Sequence, residues 1–175
     1  RIIRVYRETY PAIPALWREA NKALKTMMQD KVDNLGREGI LSVEGSDGIR
    51  LPNGLYIKYP NLRVQEPEEE GGYDETVYDT RKGRAILPNR IYGGKVIENV
   101  CQALARNVIG EQLLNVAKKY KVVMTVHDAI GCIVREAQVE GAMQQVEEIM
   151  KVRPAWALDL PLDCEGGFGA SYGEC

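Results

Sequence analysis

KVVMTVHDAIGCIV, residues 121–134, is the stretch that decides the fold. Its first part, Lys121–Val126, is rich in β-branched side chains, and a second apolar run follows at Ile130–Val134. Such residues favour strands, and two strands joined by so few residues form a hairpin. We therefore predict an antiparallel ribbon with His127 and Asp128 at its turn.

Asp128 is the candidate metal-binding residue of this turn. A rigid, half-buried ribbon would hold its carboxylate oxygens at a fixed point on the floor of a cleft. The alternative is purely structural, because a polar residue in a turn commonly hydrogen-bonds its own backbone. The rest of the chain has to decide between the two interpretations.

The composition is that of a globular protein of ordinary size. The 175 residues are 45% hydrophobic and 27% charged, which is enough for a real core. No apolar run reaches the length of a membrane span and no signal peptide opens the chain, so we expect no membrane partner. The first residue is Arg1 rather than Met, and we expect a piece of something longer.

Cysteines and charge exclude some functions. The four cysteines show no close pairing, so neither a zinc site nor a redox pair is predicted. Cys101 and Cys132 lie in apolar stretches and are expected to pack as small hydrophobic residues in a reducing environment. The net charge of −2 argues mildly against a nucleic-acid partner, unless the basic surface is local.

Apolar residues recur at helical spacing in four segments. The first ends at Pro11, since the residue before a proline disfavours the helix, and the second carries Trp17 on its apolar stripe, where core packing is expected. The predicted helices cover residues 1–10, 14–28, 95–119 and 139–150.

Strands are predicted between the second and third helices. Ile49–Leu51 and Leu55–Tyr59 flank an Asn–Gly pair, which is a strong hairpin signal. Tyr73–Thr80 and Ala85–Leu87 are two further short strands, and the acidic stretch Gln65–Glu75 is an exposed loop. The fold class is α+β, with an antiparallel sheet that includes the His–Asp hairpin and packs against long helices.

The longest predicted helix carries a polar stripe. Glu98, Gln102 and Arg106 follow one another at intervals of four residues, which places them on one face. The stripe is either a solvent-exposed edge or a row of hydrogen-bonding groups that faces a bound partner.

The order of these parts resembles the C-terminal part of family A (DNA polymerase I-like) DNA polymerases, especially those of bacteriophages. Tyr92–Arg106 is similar to the helix before the third polymerase motif, and Val126–His127–Asp128 to the core of that motif. Arg7–Trp17 resembles the segment downstream of the second motif, and Pro154–Glu165 the closing stretch of the phage enzymes.

The first and second motifs of that family have no counterpart in this chain. The resemblance therefore implies a single palm-centred fragment whose parts are a helical segment, hairpins and a loop, and a region with a helix, the catalytic hairpin, a second helix and a tail. These parts cover residues 1–35, 36–90 and 91–175. A phage-encoded enzyme would work in the cytoplasm of its bacterial host.

The resemblance also implies a role for each candidate residue. The family transfers nucleotides with two divalent cations, Mg²⁺, about 3.5–4 Å apart, and Asp128 would supply one ligand while an Asp outside this chain supplies another. His127 would lie near the primer terminus, or bond across the turn. Gln102 would touch the minor-groove edge of the duplex, and Arg106 and Lys95 are candidate phosphate contacts, although either could simply be solvated.

Three positions depart from the family pattern. Ala129 stands where a Glu commonly follows the catalytic Asp, which removes a second carboxylate from the site. Asn107 stands where many relatives carry Asp, and Leu55 where phage relatives often carry Arg. One carboxylate cannot hold two cations, so the isolated chain is expected to be inactive.

The resemblance thus predicts a DNA polymerase fragment that needs primer–template DNA, deoxynucleoside triphosphates and the missing N-terminal part, in the same or a separate chain. One alternative is a palm fragment of a single-subunit RNA polymerase, which also carries a His–Asp turn. Another is a non-catalytic DNA-binding or assembly module derived from a polymerase. A hydrolase built on His127 and Asp128 lacks a nucleophile at any informative spacing and ranks last.

Overall fold

The computed structural model describes residues 2–66 and 73–175. The chain forms two compact units, Arg1–Leu104 and Ala105–Cys175. The helices are α1 Ile2–Thr9, α2 Ala12–Met28, α3 Gly93–Ala117 and α4 Val139–Met150. The strands are β1 Val32–Asn34, β2 Ser42–Glu44, β3 Gly48–Arg50, β4 Tyr56–Ile57, β5 Arg63–Gln65, β6 Glu75–Lys82, β7 Ala85–Arg90, β8 Lys121–Val126 and β9 Ala129–Ile133.

These strands form three antiparallel sheets. Their strand orders are β1-β2-β3-β4, β5-β6-β7 and β8-β9. The predicted α+β class is confirmed, with the antiparallel strands divided among separate sheets. The organisation as a single domain with boundaries near residues 35 and 90 stays a prediction.

The predicted helices are all present. α1 ends before Pro11, and α2 begins at Ala12, two residues earlier than its apolar pattern suggests. The stripe of α2 turns Ala20, Leu24 and Met27 into the core of the first unit, while Trp17 is only half-buried.

The predicted turn around Asn53–Gly54 is also present and joins β3 to β4. The backbone N–H of Leu51 donates to the carbonyl of Leu55 at 2.7 Å, and the Asn53 side-chain oxygen accepts from the N–H of Leu55 at 3.0 Å. The three-residue strands β1, β2 and β5 were not predicted. Most of the acidic stretch predicted as a loop, residues 67–72, lies outside the described residues.

The first unit has a core built by α2, the four-stranded sheet and the first half of α3. Buried side chains from these elements include Leu24, Val43, Ile49 and Val96, and the adjoining segments add Leu35 and Ile91. Tyr59 is buried at its edge, where its hydroxyl accepts a hydrogen bond from the Asn99 amide at 3.1 Å. Burial raises the pKa of the Tyr59 hydroxyl.

A close backbone contact fixes the start of α3. A Cβ atom on Gly93 would lie 1.9 Å from the carbonyl oxygen of Trp17 in α2. The N–H of Gly93 donates to the side-chain oxygen of Asn21 at 2.7 Å. Glycine is required here because no other residue lets the two helices approach so closely.

The second unit has a smaller core. Ile109, Val116 and Met150 are buried, and one face of the β8-β9 sheet packs against them. Cys132 belongs to this packing, as predicted, and burial raises the pKa of its thiol. The prediction for Cys101 is wrong, because that side chain lies on the exposed face of α3.

Within the described ranges, the helices include none long and apolar enough to cross a membrane.

We expect Gly93→Ala to lower the free energy of unfolding by about 1–3 kcal/mol, since the added methyl group overlaps a backbone oxygen that has little room to move. The matched control is Gly110→Ala in the same helix. A Cβ there meets nothing within 4 Å, so alanine should stabilise by about 0.5–1 kcal/mol. Urea unfolding followed by circular dichroism measures both, and equal effects of the two variants would contradict the packing described for Gly93.

Candidate functional site: the turn between β8 and β9

His127 and Asp128 are the two residues that connect β8 to β9. The strands pair antiparallel, and the pair Val126–Ala129 closes the turn. Both side chains of the turn are exposed. The carboxylate of Asp128 is therefore held at the end of the ribbon with open access.

His127 has a left-handed backbone conformation, with φ of 53°. Among non-glycine residues this conformation is uncommon, and Asn, Asp and His adopt it more readily than others. The backbone conformation by itself thus favours a residue such as His at position 127, independently of any contact that the imidazole ring makes.

A β-bulge in β8 decides which side chains face the core. Val122 pairs with Cys132 and Met124 with Gly131, so Val123 is an extra residue. A shift of one residue moves every following side chain to the other face of a strand. Because of the bulge, Val126 leaves the core face before the turn is reached.

The outer face of the ribbon has little cover in the described part of the chain. Met124 lies across Gly131, where a Cβ atom would come within 2.6 Å of its Cγ atom. Val123, Val126 and Ile133 remain exposed. The inner face is anchored to the second core, and the outer face offers apolar surface.

The polar stripe of α3 is exposed. Glu98, Gln102 and Arg106 all point to solvent. Lys95 lies one turn before Glu98, and its ammonium donates to both carboxylate oxygens of Glu98, at 2.8 and 2.9 Å. That hydrogen bond, together with the negative charge, raises the pKa of Lys95. To contact a phosphate, the Lys95 ammonium would have to break its hydrogen bonds to Glu98 or divide its donors between Glu98 and the phosphate.

The structure brings some predicted site residues together. His127 and Asp128 are adjacent in one turn, and Gln102 and Arg106 lie one turn apart on α3. Lys95 and Gln102 belong to the first unit, whereas the other three residues belong to the second. Asn107, one of the departures from the family pattern, is buried.

The donor set around Asp128 is too small for a two-cation site in the part of the chain that the structure describes. No group of three or more His, Cys, Asp and Glu side chains that could hold a metal ion occurs within residues 2–66 and 73–175. Asp128 offers the carboxylate oxygens that Mg²⁺ prefers, but the neighbouring Ala129 offers no ligand. The Asp128 side chain would fit the role of one ligand, and a two-cation site would need further ligands from outside the described residues.

A groove between α1 and α2 also carries polar groups. It has a volume of about 740 Å³ and is lined in part by Arg4, Arg18 and Trp17. The guanidinium of Arg7 lies 5.9 Å from the centre of the Trp17 ring, within cation–π range. Trp17 therefore lines the groove and also belongs to the apolar stripe of α2.

A comparison with known proteins found a relative for this chain. A DNA polymerase of Bacillus phage SP02 is 31% identical over an alignment of 173 positions, and the match covers 89% of this chain and 26% of the phage protein. The chain thus spans about a quarter of the length of this relative. No protein-family model matches the chain, and no solved structure matches it significantly. The similarity supports a relationship to a phage DNA polymerase.

We expect His127→Val to lower the free energy of unfolding by about 1–2 kcal/mol, because a β-branched residue is strained in a left-handed conformation. His127→Asn should leave it nearly unchanged, since Asn tolerates that conformation. Thermal unfolding of the two variants checks this. A valine variant as stable as the wild type would mean that the turn is not held in this conformation.

Proposed function

We propose that the chain is the palm-centred part of a phage-type family A DNA polymerase, and that Asp128 is one of its catalytic carboxylates. The observation that carries the proposal is an exposed Asp at a two-residue turn between paired strands, in a chain related to a phage DNA polymerase. A short, anchored turn of this kind holds a carboxylate in place without burying it.

The proposed reaction is template-directed nucleotidyl transfer. Two Mg²⁺ ions, when bound, would stabilise the attacking and leaving oxygens of the displacement. The part of Asp128 is to supply ligand oxygens at a fixed position. His127, beside it, is proposed to lie near the primer terminus and to contact a primer phosphate.

The exposed stripe of α3 is proposed to face the primer–template duplex. The amide of Gln102 can donate to purine N3 or pyrimidine O2 atoms, which every base pair presents in the minor groove. Such a contact senses pairing geometry without reading the sequence. Arg106, one turn further along, and Lys95 are proposed phosphate contacts.

The second proposed partner is the rest of the polymerase. The uncovered apolar residues on the outer face of the β8-β9 sheet, Val123 and Val126 among them, support a further segment packing there. Two-stranded sheets are marginal by themselves. A segment that covers this face could also bring the carboxylate that Ala129 does not provide.

A chimera tests the enzymatic proposal. In it, this chain replaces the matched segment of the polymerase of Bacillus phage SP02. It should extend a primer with deoxynucleotides and Mg²⁺, whereas the 175-residue chain alone should not. Asp128→Asn in the chimera should reduce extension by more than about 100-fold. This is a larger loss than the roughly 10- to 100-fold expected when a residue that only hydrogen-bonds to a metal ligand is replaced. Gel-based primer extension measures all three.

The control is Glu136→Gln, which removes another exposed carboxylate of the second unit and should leave extension unchanged. A chimera that binds primer–template but does not extend it would favour the non-catalytic alternative. Extension with ribonucleotides instead of deoxynucleotides would favour the RNA polymerase alternative, and clear incorporation by the chain alone would refute its predicted inactivity.

We also expect Gln102 and Arg106 to affect DNA binding by the chimera differently. Arg106→Ala should lower the slope of log affinity against log salt by about 1, as the loss of one phosphate contact does. Gln102→Ala should leave that slope unchanged and reduce extension from matched primers. Fluorescence anisotropy at several salt concentrations gives the slopes, and a slope unaffected by Arg106→Ala would remove the phosphate contact from the proposal.

A further inference from the structure

The β6-β7 ribbon is anchored at one end and uncovered at the other. At its base, Val77 is buried and the ring of Tyr78 packs edge-on against Tyr59, with the ring centres 5.1 Å apart. Around the tip every residue from 81 to 87 is exposed. Six cross-strand pairs, from Val77–Arg90 to Lys82–Ala85, hold the two strands together. We call this ribbon, which is packed at its base and exposed at its tip, the arm.

Positive charge is concentrated at the tip of this arm. Arg81 and Lys82 end β6, and Arg84 follows in the turn. Within the described ranges none of these three side chains makes an ion pair.

The charges nearer the base are neutralised instead. Arg63 on the neighbouring strand pairs with Asp79 at 2.8 Å, and Arg90 pairs with Glu75 at 2.9 Å. The contrast between the two ends means that the ribbon presents three unneutralised cations at its tip.

The turn places these cations around the tip rather than along one side. Lys82 pairs with Ala85, so the connection is the two residues Gly83 and Arg84. Gly83 has φ of +63°, which a tight two-residue turn requires and glycine supplies without strain. Successive residues of a strand point to opposite faces, so Arg81 and Lys82 project on opposite sides of the ribbon.

We propose that the tip of the β6-β7 ribbon is a contact for the phosphate backbone of duplex DNA. This inference rests on the proposed function, because the primer–template duplex is the polyanion that a polymerase must hold. Three cations at one tip can neutralise phosphates without reading the sequence, and the major groove of DNA admits a two-stranded ribbon. The exposed aliphatic side chains of Ile86 and Leu87 give the arm surface that can lie against deoxyribose.

Protection of a strand edge is a second explanation for the cations at the tip. β5 pairs only with residues 75–77 of β6, so the end of β6 that carries Arg81 and Lys82 is an uncovered edge within the described residues. Proteins often place Lys or Arg on such edges to prevent pairing with another chain. Under that explanation removal of the charges promotes self-association and leaves DNA binding unchanged.

The test compares two triple variants of the chain that lose the same net charge. One is Arg81→Ala with Lys82→Ala and Arg84→Ala. The matched control takes three exposed lysines of the second unit, Lys118, Lys119 and Lys121, each to Ala. Binding of a labelled 20-base-pair duplex is measured by fluorescence anisotropy between 20 and 200 mM KCl, and size exclusion reports self-association.

We expect the tip variant to lose at least about tenfold in affinity at 100 mM KCl. Its slope of log affinity against log salt should fall by about 2 to 3, since each phosphate contact contributes about 0.9. The control variant should change by less than about twofold. A further variant with Arg81→Lys and Arg84→Lys keeps the charge and should retain the wild-type slope, which separates loss of charge from loss of fold.

Three outcomes would overturn the inference. Equal affinity of the tip variant and the wild type would do so, as would self-association of the tip variant with unchanged affinity, which supports edge protection. Absence of DNA binding by the wild-type chain at 20 mM KCl would do so as well. The polymerase proposal is decided separately by primer extension in the chimera, so an inactive chimera together with a tip variant that loses DNA binding would leave this contact standing.

Discussion

The contact of Gly93 with the backbone of α2 is the constraint on which the first unit depends. The first N–H groups of a helix have no partner inside the helix, and here the Asn21 side chain of another helix accepts one of them. The carbonyl of Trp17 leaves no room for a side chain at position 93. With the start of α3 fixed in this way, Val96 and Val100 enter the core, and Gln102 is turned to solvent.

The position of Asp128 depends on a second, weaker support. A two-stranded sheet has little stability by itself, and the β8-β9 sheet gains it from packing Val122, Ile130 and Cys132 onto the core of the second unit. The bulge at Val123 lets this face stay inside while Val126 turns outward. The turn is rigid to the extent that this packing is tight.

The elements that could be predicted from the sequence are those with a long apolar period. All four helices and the β8 boundaries, Lys121–Val126, follow from spacing and β-branched content. β1 and β2 could not be predicted, because strands of three residues show no period, and their pairing with β3 is decided by the core beneath them. Cys101 was misplaced since an apolar stretch on a helix still has an outer side: the next residue after buried Val100 points about 100° away.

The candidate site divides in the same way. The turn that carries Asp128 could be predicted, because its neighbours in sequence are its neighbours in space. The local distribution of charge could not be predicted, because the net charge of −2 does not say which charged side chains form ion pairs with one another. Arg63 meets Asp79, and Arg90 meets Glu75, only through the register of β5, β6 and β7. The same register leaves Arg81 without such a partner, so a chain that is acidic on average presents a basic tip.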